Sequence, residues 1–251
     1  MSIIQKFYDE MATQYHKLFL DWDQTTQEQA VFLDGLFRKK GFETSAQILD
    51  CACGIGTQAI GLARMGYNVT ASDISYGELK EAKERAQKSN VNLHLERADF
   101  RALEYTFNEQ FDIIIAMDNA LPHMLTEKDL NNAVKSIINQ LKSGGIFVAS
   151  IRDYDALLKT KPPYSPPYIH KTEHGKRVSF QTWEWNEDIY RLTQYIIDDE
   201  KDLKISKFEC EYRATRREEL TKLLLSHGCT KVEWIMPEET DFYQPVVIAT
   251  K

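Results

Sequence analysis

Ile48-Leu49-Asp50-Cys51-Ala52-Cys53-Gly54-Ile55-Gly56 reads as a short apolar strand that ends in an acid and runs straight into a turn with two glycines. The segment behind it, near 57–65, predicts a helix, so the stretch is a strand-turn-helix unit of a parallel α/β sheet. Gly54 and Gly56 let the backbone pass close to a ligand because no Cβ blocks the approach. The acid discriminates between ligands. A pyrophosphate needs bare amides and a helix N-terminus, and Asp50 repels it. A sulfonium carrying an ammonium and a ribose is favoured there, which points to S-adenosylmethionine as the cofactor. Gly54-x-Gly56-x-x-Ala59 by itself also fits a dinucleotide fingerprint, so the acids are what tilt the reading.

The same rhythm extends in both directions. Ile4, Phe7, Tyr8, Met11 and Tyr15, and then Ala30, Leu33, Leu36 and Phe37 ahead of Gly41, predict two leading helices that form a cap over residues 1–41. Downstream the pattern predicts strand Asn68–Ser72, helix 76–88 opened by a capping box Ser75-x-x-Glu78, strand Val91–Leu95 and strand Phe111–Ala116. A helical stripe from Leu130 to Leu141, ended by Gly144-Gly145, leads to strand Ile146–Ile151. The region 152–213 breaks the alternation. It opens with Pro162-Pro163-Tyr164-Ser165-Pro166-Pro167, which excludes helix, and continues as strands Arg177–Trp185, Ile189–Asp198 and Leu203–Tyr212. A helix capped by Thr215-x-x-Glu218 and strands Lys231–Ile235 and Gln244–Ala249 close the chain. The expected fold is an α/β, Rossmann-like, mostly parallel sheet of seven strands with helices on both faces. An N-terminal helical cap and an antiparallel meander inserted as a lid after the fifth strand complete one domain over 1–251.

Composition narrows the partners. Hydrophobic residues make up 43% of the chain and aromatics 11%, enough for a sizeable core. With 31 basic and 38 acidic residues the formal charge is -7, and no Lys/Arg run stands out, which disfavours nucleic acid. Cys51, Cys53, Cys210 and Cys229 match neither a disulfide framework nor a zinc spacing, so no metal is expected and the thiols read as free. The N-terminus shows no apolar leader and no apolar run is long enough to span a bilayer, which predicts a soluble, cytoplasmic protein.

In an open parallel sheet, ligands lie across the carboxyl ends of the strands. The residues there form a series: Asp50, Ala52, Cys53, Gly54 and Gly56 after the first strand; Asp73 and Ile74 after the second; Asp99 and Phe100 after the third; Met117, Asp118 and Asn119 after the fourth. Asp73 is placed to accept ribose hydroxyls, Asp99 the adenine amino group, and Phe100 to cover a base face. Individually, Asp73 also suits a helix N-terminus and Asp99 a turn. Tyr15 and Trp22, with Tyr8, are either an aromatic lid over a cation or helix core.

These motifs resemble the class I S-adenosylmethionine-dependent methyltransferases, and more narrowly the glycine/sarcosine N-methyltransferases, over most of the chain. The family's D-x-A-C-G-x-G matches at Asp50–Gly56. Its G-N-S-x-x-H resembles Asp118-Asn119-Ala120-Leu121-Pro122-His123, its D-H-R-N-Y-D resembles Ser150–Asp155, and its S-K-F-x-x-x-Y resembles Ser206–Tyr212. The resemblance implies methyl transfer to the amine of a small amino acid. Arg152 and Asn119 would hold the acceptor's carboxylate, and Tyr212 would face the same site. An Arg just after a strand suits a carboxylate through its bidentate fork, although a salt bridge to Asp153 or Asp155 explains it too. His123 reads as a residue that packs or hydrogen-bonds in the loop rather than one that catalyses. The family's arginines for the methionine carboxylate have no counterpart in Asp23-Gln24-Thr25-Thr26, so that partner is open. A methyltransferase of another small molecule, an NAD(P)-dependent oxidoreductase and a non-catalytic binder of the cofactor are the rival readings.

Overall fold

The computed structural model describes residues 3–172, 175–199 and 202–251. Strands β1 (Gln47–Asp50), β2 (Asn68–Asp73), β3 (His94–Arg97), β4 (Phe111–Ala116) and β5 (Leu141–Ser150) alternate with helices. Strands β6 (Tyr168–Thr172), β7 (Gly175–Asn186), β8 (Ile189–Asp199) and β9 (Lys204–Arg213) follow, then β10 (Lys231–Ile235) and β11 (Val246–Thr250). The helices are α1 (Ile3–Tyr15), α2 (Trp22–Lys39), α3 (Thr57–Arg64), α4 (Tyr76–Lys88), α5 (Glu127–Asn139), α6 (Tyr154–Thr160) and α7 (Arg217–Ser226).

The main sheet has seven strands in the order β10-β11-β5-β4-β1-β2-β3. β1 to β5 run parallel, while β11 pairs antiparallel with both β5 and β10. Its central strands are apolar on both faces, as a doubly covered parallel sheet requires. Leu33, Phe37, Ala59 and Leu62 of α2 and α3 cover one face, and Leu130, Val134, Ile137 and Leu220 of α5 and α7 cover the other. Strand order reverses between β1 and β4, and the carboxyl ends of the strands there are where a ligand crevice is expected in an open parallel sheet.

The second sheet, β6-β7-β8-β9, is antiparallel throughout and packs its inner face on α1 and α6. Phe7 and Met11 of α1 meet Leu192, Ile196, Phe208 and Cys210 there. The proline passage runs along β7: Trp183 N–H donates to Pro163 O and Trp185 Nε1 to Pro162 O.

Several elements differ from the sequence expectation. The third strand begins at His94, not Val91, because the Val91 amide closes the end of α4 on Ala86 O. β6 adds a strand beyond the three expected, and helix α6 stands where none was read, capped by Asp153 on the Ala156 amide. Seven residues are too few to show helical periodicity. Thr215 does not cap the last helix: α7 starts at Arg217, whose amide goes to Asp155, a partner remote in sequence. The capping box at Ser75 is half formed. Ser75 Oγ accepts the Glu78 amide, but Asp73 Oδ1, not Glu78, takes the Ser75 amide. The polar turn expected at 199–202 includes Glu200 and Lys201, which lie outside the described residues. Among the described residues no helix is long and apolar enough to cross a membrane.

Candidate active site

Two cavities meet at the carboxyl ends of β1, β2 and β4. The first, about 360 Å³, is lined by Ala52, Cys53, Gly54, Asp73, Ile74, Asp99, Phe100 and Met117. The second, about 580 Å³, lies between the main sheet's edge and the antiparallel sheet, and Asn119, Arg152, Gln181, Trp183 and Tyr212 line it. Three residues border both: Tyr8, Tyr15 and Asp118.

The first turn is built so that its amides face inward. Cys53 N–H donates to Ser72 O, Gly56 N–H to Cys53 O, and Gly54 N–H to Asp73 Oδ2 at 2.9 Å. A pyrophosphate needs those donors, and here they are already used. Gly56, at φ +90°, turns the chain into α3, and a Cβ there would meet Ile60 Cδ1 at 2.9 Å. The charged side chains of the lining are mostly acids. Asp73, Asp99, Asp118 and Asp129 face the first cavity, and the one cation among its described lining residues, Arg101, is taken up by Asp99 and Asp129. Such a donor set suits a ligand carrying positive charge, a ribose and an aminopurine. It does not suit phosphate.

Asp73 is the hinge of this arrangement. Its two oxygens accept the Gly54 and Ser75 amides, and each retains an acceptor site for a hydroxyl. Burial raises its carboxyl above the ordinary range while those amides pull it back. Asp99 lies in a turn and both of its oxygens are engaged by Arg101, so only its remaining lone pairs face a base.

Two sequence expectations need correction. Asp50 does not face the ligand: it is fully buried beneath the turn, is absent from the cavity lining, and leaves Oδ2 without a partner. Burial, with Asp73 and Asp118 nearby, pushes its carboxyl up to about 8. Trp22 is no lid over either cavity. It sits in a cluster with Ile55 and Ile60, under the Arg85 guanidinium, and donates Nε1–H to Thr57 Oγ1. Tyr15, by contrast, borders both cavities.

At the second cavity Arg152 donates Nη1–H to Tyr190 Oη at 2.6 Å and Nη2–H to Gln181 Oε1 at 2.9 Å, with its guanidinium near the Trp183 and Tyr212 rings. Among the described residues no carboxylate pairs with it. Asp153 and Asp155, the expected competitors, both bind Arg217. Asn119 Oδ1 is claimed by the Arg152 amide and the Tyr154 hydroxyl, which leaves its buried Nδ2 without a partner. Tyr212 stacks between His123 and Tyr190, with ring centroids 4.1 and 5.5 Å away. His123 shares a 2.7 Å hydrogen bond with Tyr8, and burial pushes its pKa down to about 3, so it is neutral at physiological pH. It packs against the rings of Tyr8 and Tyr212.

Sequence reasoning missed Tyr154, Gln181, Trp183, Tyr190 and Tyr243 as site residues. Most lie in the region where the β-α rhythm stops, and nothing local marks which face of a meander turns inward. Glu78 is a further surprise: both carboxyl oxygens are buried without partners, one facing Gly54, and burial raises its pKa well above the usual value.

Comparisons with known proteins agree with this geometry. Residues 48–145 match the family described as a methyltransferase domain. The chain is 28% identical over 155 residues to a glycine/sarcosine N-methyltransferase of Parasynechococcus marenigrum, covering 62% of this chain and 54% of the relative. It is 29% identical over 190 residues to the glycine N-methyltransferase of Homo sapiens, covering 69% and 63%. The chain thus spans about half the length of the first of these curated relatives. Among solved structures, an S-adenosylmethionine-dependent methyltransferase from Clostridium acetobutylicum superposes with a TM-score of 0.73 at 20% identity, covering 97% of each chain. An amino pentose methyltransferase from Micromonospora echinaspora, solved with S-adenosylmethionine bound, does so with a TM-score of 0.75 at 16% identity, covering 90% and 91%. At these identities the structural likeness speaks for the fold.

Proposed function

We propose that this chain, which carries a class I S-adenosylmethionine-dependent methyltransferase domain, transfers a methyl group to the amine of a small amino acid of the glycine/sarcosine type. The observation that carries the reading is a cation and an amide facing one cavity: the Arg152 guanidinium, which donates to the neutral Tyr190 and Gln181 and has no carboxylate partner among the described residues, and Asn119 Nδ2, which has no partner at all. A buried cation and a buried amide N–H are both costly to leave unmatched, and one substrate carboxylate satisfies both.

In this reading Asp73 holds the ribose of the cofactor, Ile74 and Phe100 flank the adenine, Asp99 accepts from its amino group, and Ala52, Cys53, Gly54 and Met117 shape the bed. Asp50 and Gly56 act from behind the turn. Bound there, the cofactor would supply a sulfonium-activated methyl group for in-line transfer to nitrogen, with the C–S bond breaking as the C–N bond forms. The protein's part is alignment, for which effective molarities of roughly 10⁵–10⁸ M are available from positioning. Arg152 and Asn119 fix the carboxylate, Tyr212 borders the amine, and α1 with the antiparallel sheet forms a lid that keeps water out. The four buried free thiols suit a reducing, cytoplasmic setting.

A second reading keeps the cofactor and changes the acceptor. The second cavity, about 580 Å³, exceeds what glycine fills and falls within the usual range for larger ligands, roughly 300–1,000 Å³. A bulkier amine or an amino sugar would use Trp183 and Phe180 as walls. Methyl transfer from labelled cofactor to a panel of glycine, sarcosine, larger amino acids and amino sugars separates the two. With sarcosine as acceptor, Arg152→Lys should raise KM by at least ~10-fold through loss of the fork. Unchanged turnover would overturn the carboxylate clamp.

A further inference from the structure

The junction between the two cavities holds one carboxylate, Asp118, with the phenols of Tyr8 and Tyr15. These are the residues at which the two cavities adjoin. Asp118 is pinned from three sides. Gln58 Nε2 donates to Oδ2 at 2.8 Å, the Tyr243 hydroxyl to Oδ1 at 2.8 Å, and its own amide donates to Ser150 Oγ at 2.8 Å. Two hydrogen bonds use about half of the roughly four acceptor sites of a carboxylate, so lone pairs remain free at the junction.

The backbone adds a second observation. Asp118 has φ +55° and Asn119 φ +71°, consecutive residues in the left-handed region, which a non-glycine residue occupies at a cost. The motif that this stretch resembles has glycine at the first of the two positions, the residue that would adopt this conformation freely. Here the fold carries a charged side chain at that spot and orients it with two hydrogen bonds.

We propose that Asp118 binds the ammonium group of the acceptor and takes its proton. The inference rests on the amine-methylation reading and adds to it the group that makes the nitrogen nucleophilic. An amino acid reaches the site as an ammonium, which has no lone pair. One N–H bond breaks, its electron pair stays on nitrogen, and the proton moves to a free Asp118 oxygen. Asp118 later returns that proton to water, and the methylated product leaves as an ammonium. Asn119 and Arg152 line the same cavity as Asp118, so an acceptor whose carboxylate they hold has its amine in the cavity that Asp118 borders. Other groups near Asp118 are Tyr15 of α1, Asp50 at the tip of β1, Gln58 of α3, Tyr243 before β11 and, across the cavity, Arg152. Burial raises the Asp118 carboxyl above its ordinary range, toward where a base works best, while Gln58 and Tyr243 hold it down.

The test compares wild type with Asp118→Asn and Asp118→Gly, both compatible with the left-handed backbone. Because Asp118 also lines the first cavity, calorimetry with S-adenosylmethionine should show some loss of affinity, smaller than the loss for the acceptor. Sarcosine binding in the presence of S-adenosylhomocysteine should weaken by ~10-fold or more, and kcat should fall about 10²-fold. The rise of kcat/KM with pH should move to the alkaline range, where the amine sheds its own proton. Variants that bind sarcosine like wild type and keep the wild-type pH profile would overturn the proposal. If wild type itself binds neither glycine nor sarcosine, the amino-acid reading fails. The same comparison with ethylammonium and an amino sugar then decides Asp118, and wild type binding no amine at all overturns it as well.

Discussion

Arg217 Nη1 lies 2.6 Å from Asp153 Oδ1, and this contact decides the state of a different residue. Asp153 follows Arg152 directly in the chain and would be its natural ion-pair partner. With Asp155 also within 3.3 Å of Arg217 Nε, α7 draws both acids away and leaves the Arg152 guanidinium facing the cavity.

Releasing those acids should therefore inhibit. Arg217→Gln frees Asp153 to compete for Arg152, and KM for a carboxylate-bearing acceptor should rise by ~3–10-fold with kcat and cofactor affinity nearly unchanged, equivalent to the roughly 1 kcal/mol of a partly exposed pair. Steady-state kinetics at low and high salt check this, since salt should narrow the difference.

Asp73→Ala removes the acceptor of two backbone amides, those of Gly54 and Ser75, as well as the carboxylate facing the cavity. Hydrogen bonds to charged groups are worth about 1.5–3 kcal/mol each, so cofactor affinity should drop by at least ~100-fold and the melting midpoint by several degrees. Calorimetric titration and thermal unfolding read the two effects separately.

The buried Asp50 carboxyl, pushed up to about 8, predicts a proton-linked cofactor step. Its pKa is raised on folding, so its contribution to stability is complete below about pH 4 and is lost as pH climbs to about 8. Asp50→Asn should equal wild type near pH 4 and exceed it in stability near pH 8. A cationic ligand nearby favours the ionised form, so binding should release protons at neutral pH in wild type and not in the variant. Titrations in two buffers of different ionisation enthalpy measure that release.

Gly61 marks where α2 and α3 touch: a Cβ there would stand 2.6 Å from Thr26 O and 2.8 Å from Ala30 Cβ. Because the first obstacle is backbone, Gly61→Ala should cost about 1–3 kcal/mol by overpacking. Denaturant unfolding at constant m-value would register it, and an unchanged midpoint would show that the helices simply part.

Reading the chain without its structure goes far where the signals are local. The turn at Gly54 and Gly56, the acids after successive strands and the apolar stripe from Leu130 to Ile138 are each written within a few residues, whereas Leu141, read as the end of that helix, already belongs to β5. The site was legible in kind and less so in detail. Asp73, Asp99, Phe100, Met117, Asn119, Arg152 and Tyr212 do converge on the two cavities, whereas Asp50 is sealed beneath the turn and Trp22 is packed behind Thr57. Short or uncapped elements such as α6 and β6 escaped because they carry too little periodicity.

The amino-acid sequence alone thus determined a doubly wound sheet and a ligand edge too acidic for phosphate, since periodicity and turn chemistry are properties of neighbouring residues. Only the tertiary structure decided which charges remain unspent. Tyr243 reaches Asp118 across 125 positions and Arg217 reaches Asp153 across 64, and a partner that distant is chosen by packing. Burial then sets how strongly each unmatched charge demands a ligand.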